Sequence, residues 1–211
     1  MNIKLSRSAM LRGGLVLLLV GSITGCSTTT PPPPAEENVS FAYEEGVAGG
    51  VFVGTVEMKV KIVAVDTAKR KLTLMDANGD EFTTKVGPGV VNFDQVQAND
   101  MIDIIVTEEL VISVSAEGTA VEEGSAGLVA LAPKGAKPGG LIVGTIVVTA
   151  KVVAIDETNR TATLEFKDGT SKIIPVRKDL DLSQHKTGEQ VVFQITEMIA
   201  ISVEKTEESN K

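Results

Sequence analysis

The sequence VGTVEMKVKIVAVD, residues 53–66, occurs a second time in the chain as VGTIVVTAKVVAID, residues 143–156. The correspondence extends in both directions, so that the segment from Gly49 to Val114 aligns with the segment from Gly139 to Val203. The offset between the copies is ninety residues in the first part and eighty-nine in the last, because one residue is deleted in the middle of the second copy. One unit has therefore been duplicated.

Apolar and polar side chains alternate along the first strand predicted in each copy. This period of two is typical of a strand with one buried face. The side chains predicted to point inward are Val56, Met58, Val60, Ile62 and Ala64 in the first copy and Ile146, Val148, Ala150, Val152 and Ala154 in the second. We therefore expect one long strand at the start of each copy.

A hairpin and two further strands complete the predicted unit. The pair Asn78-Gly79 in the first copy, like Asp168-Gly169 in the second, favours the positive φ angles of a tight hairpin turn. After an irregular stretch, apolar residues of the first copy alternate again in two short runs, Ile102 to Val106 and Leu110 to Val114. Each run is interpreted as a strand of its own, so that each copy is predicted to contain five strands.

The valine-rich strands, without any long stretch of period 3.6, predict an all-β protein. Five short antiparallel strands with a break after the third are typical of a small OB-type barrel; an SH3-like barrel or a compact sandwich is the alternative. We expect two five-stranded OB-like barrels in tandem. The expected boundaries are 1–25 for a lipoprotein signal peptide, 26–48 for a lipidated cysteine and a Pro-rich tether, 49–115 for the first barrel, 116–138 for a flexible linker, 139–205 for the second barrel and 206–211 for a polar tail.

The N-terminal segment has the composition of a targeting signal. Lys4, Arg7 and Arg12 precede an apolar run from Leu15 to Val20, and the run ends at Ile23-Thr24-Gly25-Cys26. This ending resembles a bacterial lipobox, which implies that Cys26 becomes the first mature residue and that its thiol is acylated. Cys26 is also the only cysteine, so no disulfide can form within one chain. We expect the lipid on Cys26 to attach the protein to a membrane.

The residues after the cysteine predict a tether and a location. Four consecutive prolines, Pro31 to Pro34, favour an extended polyproline conformation that has no core. In lipoproteins of Gram-negative bacteria, an aspartate directly after the cysteine usually marks retention in the inner membrane, and Ser27 stands in that place here. The resemblance therefore implies anchoring in the outer membrane, facing the periplasm.

The charge balance argues against nucleic acid as a partner. Removal of the signal segment takes three of the 20 basic residues and none of the 28 acidic ones, which changes the formal net charge from −8 to −11. The chain has no Trp, and its one Tyr, Tyr43, lies outside both copies. An oligonucleotide-binding barrel needs a basic groove with stacking aromatic side chains.

No residue pattern predicts an enzyme or a cofactor. The one histidine, His185, is expected to be an exposed loop residue without a role. The acidic stretch 76–81 lacks the later glutamate of a calcium loop and is interpreted as a solvated turn. The methionines that could suggest a soft-metal site do not recur at matching positions of the two copies; they are Met58, Met75, Met101 and Met198.

An apolar patch on the second copy is the candidate for an interaction surface. Glu57 and Lys59 on the outward face of the first copy are replaced by Val147 and Thr149 in the second. An exposed apolar patch on a strand favours association. We hypothesise that this face packs against the apolar stretch 128–132, the other barrel or an envelope protein. The residues assigned to it are Val143, Val147, Val153, Ile155 and Leu128.

Both copies resemble a unit of uncharacterised bacterial envelope proteins. The residues that carry the likeness in the first copy are Val63-Ala64-Val65-Asp66, Arg70, Leu72-Thr73-Leu74, Val91 to Val96, Asn99-Asp100 and Thr107 to Val114. The second copy keeps Val153-Ala154-Ile155-Asp156, Arg160, Gly188-Glu189 and Thr196 to Val203 but has lost the Asn-Phe-x-Gln-Val segment. The resemblance implies a β fold and an envelope location, and it supplies no catalytic residue.

These observations together favour a non-enzymatic lipoprotein of the outer membrane that acts as a structural or protein-interaction module. The alternative is a periplasmic protein that binds a metal or another small ligand. A more distant likeness, in strand order only, is to the periplasmic copper/silver efflux chaperone, which binds metal through His, Met and Trp. Because Trp is absent here, that likeness concerns the fold alone.

Overall fold

The computed structural model describes residues 30–119 and 121–205. The predicted signal peptide 1–25, the lipidation site Cys26 and the polar tail 206–211 lie outside the described residues. The strands are β1 (Glu36–Ala42), β2 (Gly49–Asp66), β3 (Lys71–Met75), β4 (Glu81–Lys85), β5 (Met101–Ser115), β6 (Gly124–Leu131), β7 (Gly139–Asp156), β8 (Thr161–Phe166), β9 (Ser171–Pro175) and β10 (Gln190–Glu204). Two short 3-10 helices, η1 (Phe93–Gln95) and η2 (Leu182–Gln184), precede β5 and β10.

All ten strands belong to one antiparallel sheet that does not close into a barrel. Its order is β4-β3-β2-β5-β10-β7-β8-β9, with β1 added to β2 and β6 added to β7. The all-β class predicted from the sequence is confirmed, as are the hairpins β3–β4 and β8–β9, whose turns contain Gly79 and Gly169 at positive φ. Two separate five-stranded barrels are not what the strand pairing shows.

The second half of each copy explains why two separate barrels do not form. The two runs Ile102 to Val106 and Leu110 to Val114, expected as separate strands, form the single strand β5, which continues without a turn through Thr107, Glu108 and Glu109. None of these three is a residue that supplies turn geometry, unlike Gly, Pro or Asn. Because β5 does not fold back within its own copy, it pairs with β2 on one edge and with β10 of the second copy on the other.

The two copies are related by an approximate twofold axis through the β5–β10 pair. The register joins all fifteen residues of β5 to β10, from Met101 opposite Glu204 to Ser115 opposite Gln190. Glu108 lies opposite Glu197, and these two residues are also equivalent in the repeat alignment. The axis therefore passes between two glutamates.

A β-bulge near the end of the long first strand changes the predicted inward face. The register between β2 and β3 shifts between Ile62 and Ala64, and that between β7 and β8 shifts between Val152 and Ala154. An inserted residue reverses the side-chain alternation beyond it. The prediction that Ala64 and Ala154 point inward is therefore wrong: both are exposed, and the following residues, Val65 and Ile155, pack against the cores.

Two apolar cores lie at opposite ends of the β5–β10 pair. We call the end built on β3, β4 and η1 lobe 1 and the end built on β8, β9 and η2 lobe 2. The core of lobe 1 includes Val203 of the second copy, and Ile112 and Val114 of the first copy pack in lobe 2. Each core is thus completed by the other copy, as a shared sheet requires.

Equivalent arginines of the two copies hold the loop that covers each lobe. Arg70 and Arg160 both have a positive φ, 51° and 52°, in the turn that follows the long strand. The guanidinium of Arg70 donates hydrogen bonds to the carbonyl oxygens of Gly87 and Val90, at 2.8 Å each, and that of Arg160 donates to the carbonyl oxygen of Leu180, also at 2.8 Å. Both loops are therefore anchored by the strand turn beneath them.

We predict that the separate halves, residues 30–119 and 121–205, do not fold independently as monomers. Each half exposes the full edge of β5 or β10 and loses the core side chains that the other half supplies, whereas unpaired edges favour association. The measurement is urea unfolding followed by circular dichroism, with sedimentation to determine mass. It compares each half with the chain 30–205. We expect one cooperative transition for the chain 30–205 and for an equimolar mixture of the halves. A half that unfolds cooperatively as a monomer contradicts the prediction.

Candidate functional site

The face of the sheet that carries both cores continues between the lobes as an apolar surface. Along β5, Ile102 and Ile104 pack in lobe 1 and Ile112 packs in lobe 2, so the even-numbered residues between them point to the same side. We call this surface the interlobe face. Its members by strand register are Phe52, Val56, Val106, Glu108, Leu110, Ile142, Ile146, Ile195, Glu197 and Ile199.

Large apolar side chains of the interlobe face remain in contact with solvent. Ile146 is 50% exposed, Ile142 is 43% exposed and Phe52 is 39% exposed. Exposed apolar surface of this kind, when its members are contiguous, marks a site of association.

Two glutamates occupy the centre of this apolar face. Glu108 and Glu197 are exposed register partners, and the next positions outward in the same row are Gly54 and Gly144. A Cβ atom at either glycine would meet nothing within 4 Å, so the space beside each carboxylate is open. Directly opposed like charges destabilise an antiparallel pair, and neither glutamate forms an ion pair within residues 30–119 and 121–205.

The opposite face of the sheet is more polar. It carries Thr55 and Thr107, whose hydroxyl oxygens are 3.4 Å apart, and the equivalent pair Thr145 and Thr196, at 3.2 Å. An ion pair between a lysine of β2 and an aspartate of β5 lies on this face as well. Along β2, β5, β10 and β7, the polar side chains of the interlobe face are thus the two central glutamates, and Glu37 of β1 and Ser125 of β6 lie at its margins.

The structure separates the residues of the predicted interaction patch. Leu128 of β6 lies opposite Val143 of β7 as its strand partner within the sheet, inside the segment expected to be a linker. Val147 is half-buried between Gly124 and Gln194. At the bulge, Val153 is exposed, and beyond the bulge Ile155 turns to the core side of lobe 2.

Arg177 and Asp179 hold the loop between β1 and β2 against lobe 2. The Arg177 guanidinium lies 4.1 Å from the centre of the Tyr43 ring and donates a 2.7 Å hydrogen bond to the Val47 carbonyl oxygen. Asp179 accepts from Arg177 and from the Gly46 N–H, both at 3.0 Å, and these hydrogen bonds lower the pKa of Asp179 to about 2. The repeat offered no signal for this contact, because the equivalent of Arg177 is Gly87.

His185 is half-buried rather than a free loop residue. It follows η2, and its Nδ1 lies 2.9 Å from Oε2 of Glu189. Both side chains line a cavity of about 330 Å³ in lobe 2. The equivalent residue in lobe 1 is the buried Val96, so the repeat would have suggested a core position here.

The acidic stretch 76–81 is a self-contained turn, in agreement with its interpretation from the sequence. Oδ1 of Asp76 accepts hydrogen bonds from the backbone N–H groups of Asn78, at 2.8 Å, and Asp80, at 3.0 Å. The Asp80 N–H makes the largest contribution to lowering the pKa of Asp76. Across residues 30–119 and 121–205, no three His, Cys, Asp or Glu side chains cluster as metal ligands would. Over the same residues no helix has the length and apolar character needed to cross a membrane.

Comparisons with protein-family models, curated proteins and solved structures find no match to this chain.

Glu123 is the residue directly before β6. Its side chain accepts hydrogen bonds from the edge of β7. Its Oε1 accepts hydrogen bonds from the hydroxyl and the backbone N–H of the buried Thr149, at 2.7 and 2.8 Å, and its Oε2 lies 3.0 Å from the Lys167 ammonium. The Thr149 hydroxyl makes the largest contribution, and together these contacts lower the pKa of Glu123 to about 2. The charged form therefore fixes the start of β6 on the sheet.

We predict that Glu123→Gln destabilises the protein at neutral pH and that the difference from the unmodified chain shrinks in acid. A carboxylate whose pKa is lowered by folding contributes stability above its ordinary pKa of 4.5, and that contribution is lost as the pH falls toward about 2. The measurement is the difference in melting temperature between the variant and the unmodified chain from pH 7 to pH 2. Glu122→Gln, a variant of the exposed neighbouring residue, is the control. A constant difference across this range would contradict the assignment.

Proposed function

We propose that this chain is a non-enzymatic lipoprotein of the outer membrane, facing the periplasm, and that it acts as a protein-interaction module through the interlobe face. The observation that supports the proposal best is the exposed apolar sheet between two lobes, with two unpaired carboxylates at its centre. An apolar surface with a charged centre gives both affinity and orientation to a partner.

The partner that fits this face is a protein segment with a basic side chain surrounded by apolar ones. One Lys or Arg placed between Glu108 and Glu197 would relieve their repulsion, and the flanking glycines Gly54 and Gly144 leave room for its approach. A second copy of the same chain, docked face to face about this axis, would bring four carboxylates together. Charge complementarity therefore favours a different, cationic partner over self-association.

The lipid anchor and the tether support the envelope part of the proposal. The lipobox-like sequence ends at Cys26, and Pro31 to Pro34 follow before β1 begins at Glu36. Such a segment would hold the sheet away from the membrane while it remains attached through the lipid.

We predict that Cys26→Ala abolishes acylation and releases the protein from the membrane. The cysteine thiol is the proposed site of lipid attachment, and Ala has no sulfur atom to which a lipid can be joined. Metabolic labelling with an alkyne fatty acid, followed by membrane fractionation through a high-salt wash, measures both effects, with Ser27→Ala as control. If the Cys26→Ala variant still fractionates with outer membranes, the anchor proposal is wrong.

We predict that a photo-crosslinking residue at Ile146, on the interlobe face, captures one partner of defined mass in cells that produce the protein. The matched position is Ile173 on β9, which is 72% exposed and lies away from this face. Because the partner is proposed to be basic, the double variant Glu108→Lys/Glu197→Lys should remove the adduct.

A charge-matched control separates this effect from a general change in charge. The variant Glu57→Lys/Glu109→Lys reverses two charges on the opposite face and should keep the adduct at Ile146. Equal adducts from Ile146 and Ile173, or an adduct that survives reversal of Glu108 and Glu197, would contradict the proposal. Circular dichroism of each variant confirms that the sheet is retained.

A further inference from the structure

We propose that lobe 2 binds an aliphatic chain with a neutral, hydrogen-bond-donating head group such as a hydroxyl. The cavity of about 330 Å³ lies inside this lobe, between the sheet and the loop that carries η2. It is separate in position and chemistry from the charged centre of the interlobe face, and the proposal does not depend on the partner inferred above.

The walls of the cavity are aliphatic along most of their length. They come from the sheet, from the hairpin β8–β9 and from the loop before β10; the principal members are Ile112, Val114, Val152, Ile155, Leu164 and Ile174. Three charged or titratable side chains, Arg177, His185 and Glu189, also line it. Pockets of this size with a few polar groups are typical of small-molecule sites.

In the first copy of the repeat, side chains of the protein itself fill the interior of the lobe. Eight buried apolar side chains form one contiguous core in lobe 1, whereas four do so in lobe 2, where the buried Leu180 and Leu182 lie beside the cavity. In lobe 1, Phe93 and Val96 close the interior and are 3% and 6% exposed. Their equivalents in lobe 2 are Leu182 and His185.

Five of the eight buried core side chains of lobe 1 are replaced by smaller residues at matching positions of lobe 2, whereas Val65 and Ile104, which pack against that core, are replaced by the larger Ile155 and Phe193. From lobe 1 to lobe 2, each of five core side chains loses one to three carbon atoms: Val60 becomes Ala150, Ile62 becomes Val152, Leu72 becomes Ala162, Phe93 becomes Leu182 and Ile102 becomes Val191. Empty volume in a core costs free energy, because the lining atoms lose their packing partners. A ligand that fills this volume restores those contacts.

The size of the cavity sets the length of the chain. A cavity of 150 Å³ holds a six-carbon ring, so a volume of about 330 Å³ corresponds to a chain of roughly ten carbon atoms. The aliphatic part of the walls suits a flexible alkyl chain.

The polar groups of the cavity favour a neutral head group. Arg177 is already paired with the carboxylate of Asp179 and donates to carbonyl oxygens of the loop 43–49, so its positive charge is compensated within the protein. His185 directs Nδ1 to Glu189; when that nitrogen carries the proton, Nε2 accepts a hydrogen bond. The carboxylate of Glu189 beside it disfavours an anionic head and orients the imidazole for a hydroxyl.

The test uses 1-decanol as the probe and residues 27–211, which keep every described residue. Methyl NMR spectra recorded during titration should show saturable shifts at Ile112, Ile155, Leu164 and Ile174 in lobe 2. The matched methyl groups Ile62 and Leu74, in the filled core of lobe 1, should not move. Decanoate at pH 8 should bind at least tenfold more weakly than 1-decanol, because its head group is anionic.

Three variants place residues of lobe 1 at the matching positions of lobe 2. Ala162→Leu should weaken 1-decanol binding at least tenfold and leave the melting temperature equal or higher, because Leu72 fills the equivalent space in lobe 1. Val152→Ile, a smaller change, should weaken binding in the same direction if Ala162→Leu does not fold. His185→Val should remove the preference for 1-decanol over decanoate while binding of the chain remains.

Three results would overturn the proposal. The first is equal shifts in both lobes, and the second is no saturable shift up to the solubility limit of 1-decanol. The third is binding that neither Ala162→Leu nor Val152→Ile changes.

Discussion

The antiparallel pairing of β5 with β10 is the interaction on which the rest of the structure depends. It joins the two copies along fifteen residue pairs and makes one sheet of what would otherwise be two units with open edges. An unpaired strand of this length favours pairing with another chain, and the duplication supplies the second strand within the same molecule. The shared cores follow from this pairing, because it carries Val203 into lobe 1 and Val114 into lobe 2. The interlobe face also depends on this pairing, because the middle of β5 and β10 forms its centre.

Duplication has kept the frame of the unit and changed its interior. Both copies retain the bulge in the long strand and the positive-φ arginine that ties the loop over the lobe. These features fix the backbone, so the side chains inside each lobe can differ without a change of topology. Lobe 1 uses Phe93 to close its core, whereas the loop over lobe 2 has Leu182 at the same position and contains Arg177, which holds the loop between β1 and β2.

The sequence predicted the features that depend on local pattern and missed those that depend on pairing. Alternation and turn residues located the strands and hairpins, because period two and Asn-Gly act over a few residues. The bulge at Val63 reverses the parity without a recognisable residue type, so Ala64 was assigned to the wrong side. Closure of a barrel is inferred from the number of strands. The strand that pairs with β5, however, is β10 of the second copy. His185 was assigned to an exposed loop because its partner Glu189 is visible only once η2 places the two side chains together.

Phe52 connects the two proposed sites. Its side chain belongs to the interlobe face by register and also lines the cavity of lobe 2, where it stacks on Phe41 with ring centres 4.0 Å apart. A partner that packs on the interlobe face and a chain in the cavity would both contact Phe52. If either ligand fixes the ring in an orientation that the other prefers, each raises the affinity for the other by the same factor, because coupling between two binding sites is reciprocal. Phe52 is therefore the side chain through which occupation of lobe 2 would alter docking on the sheet.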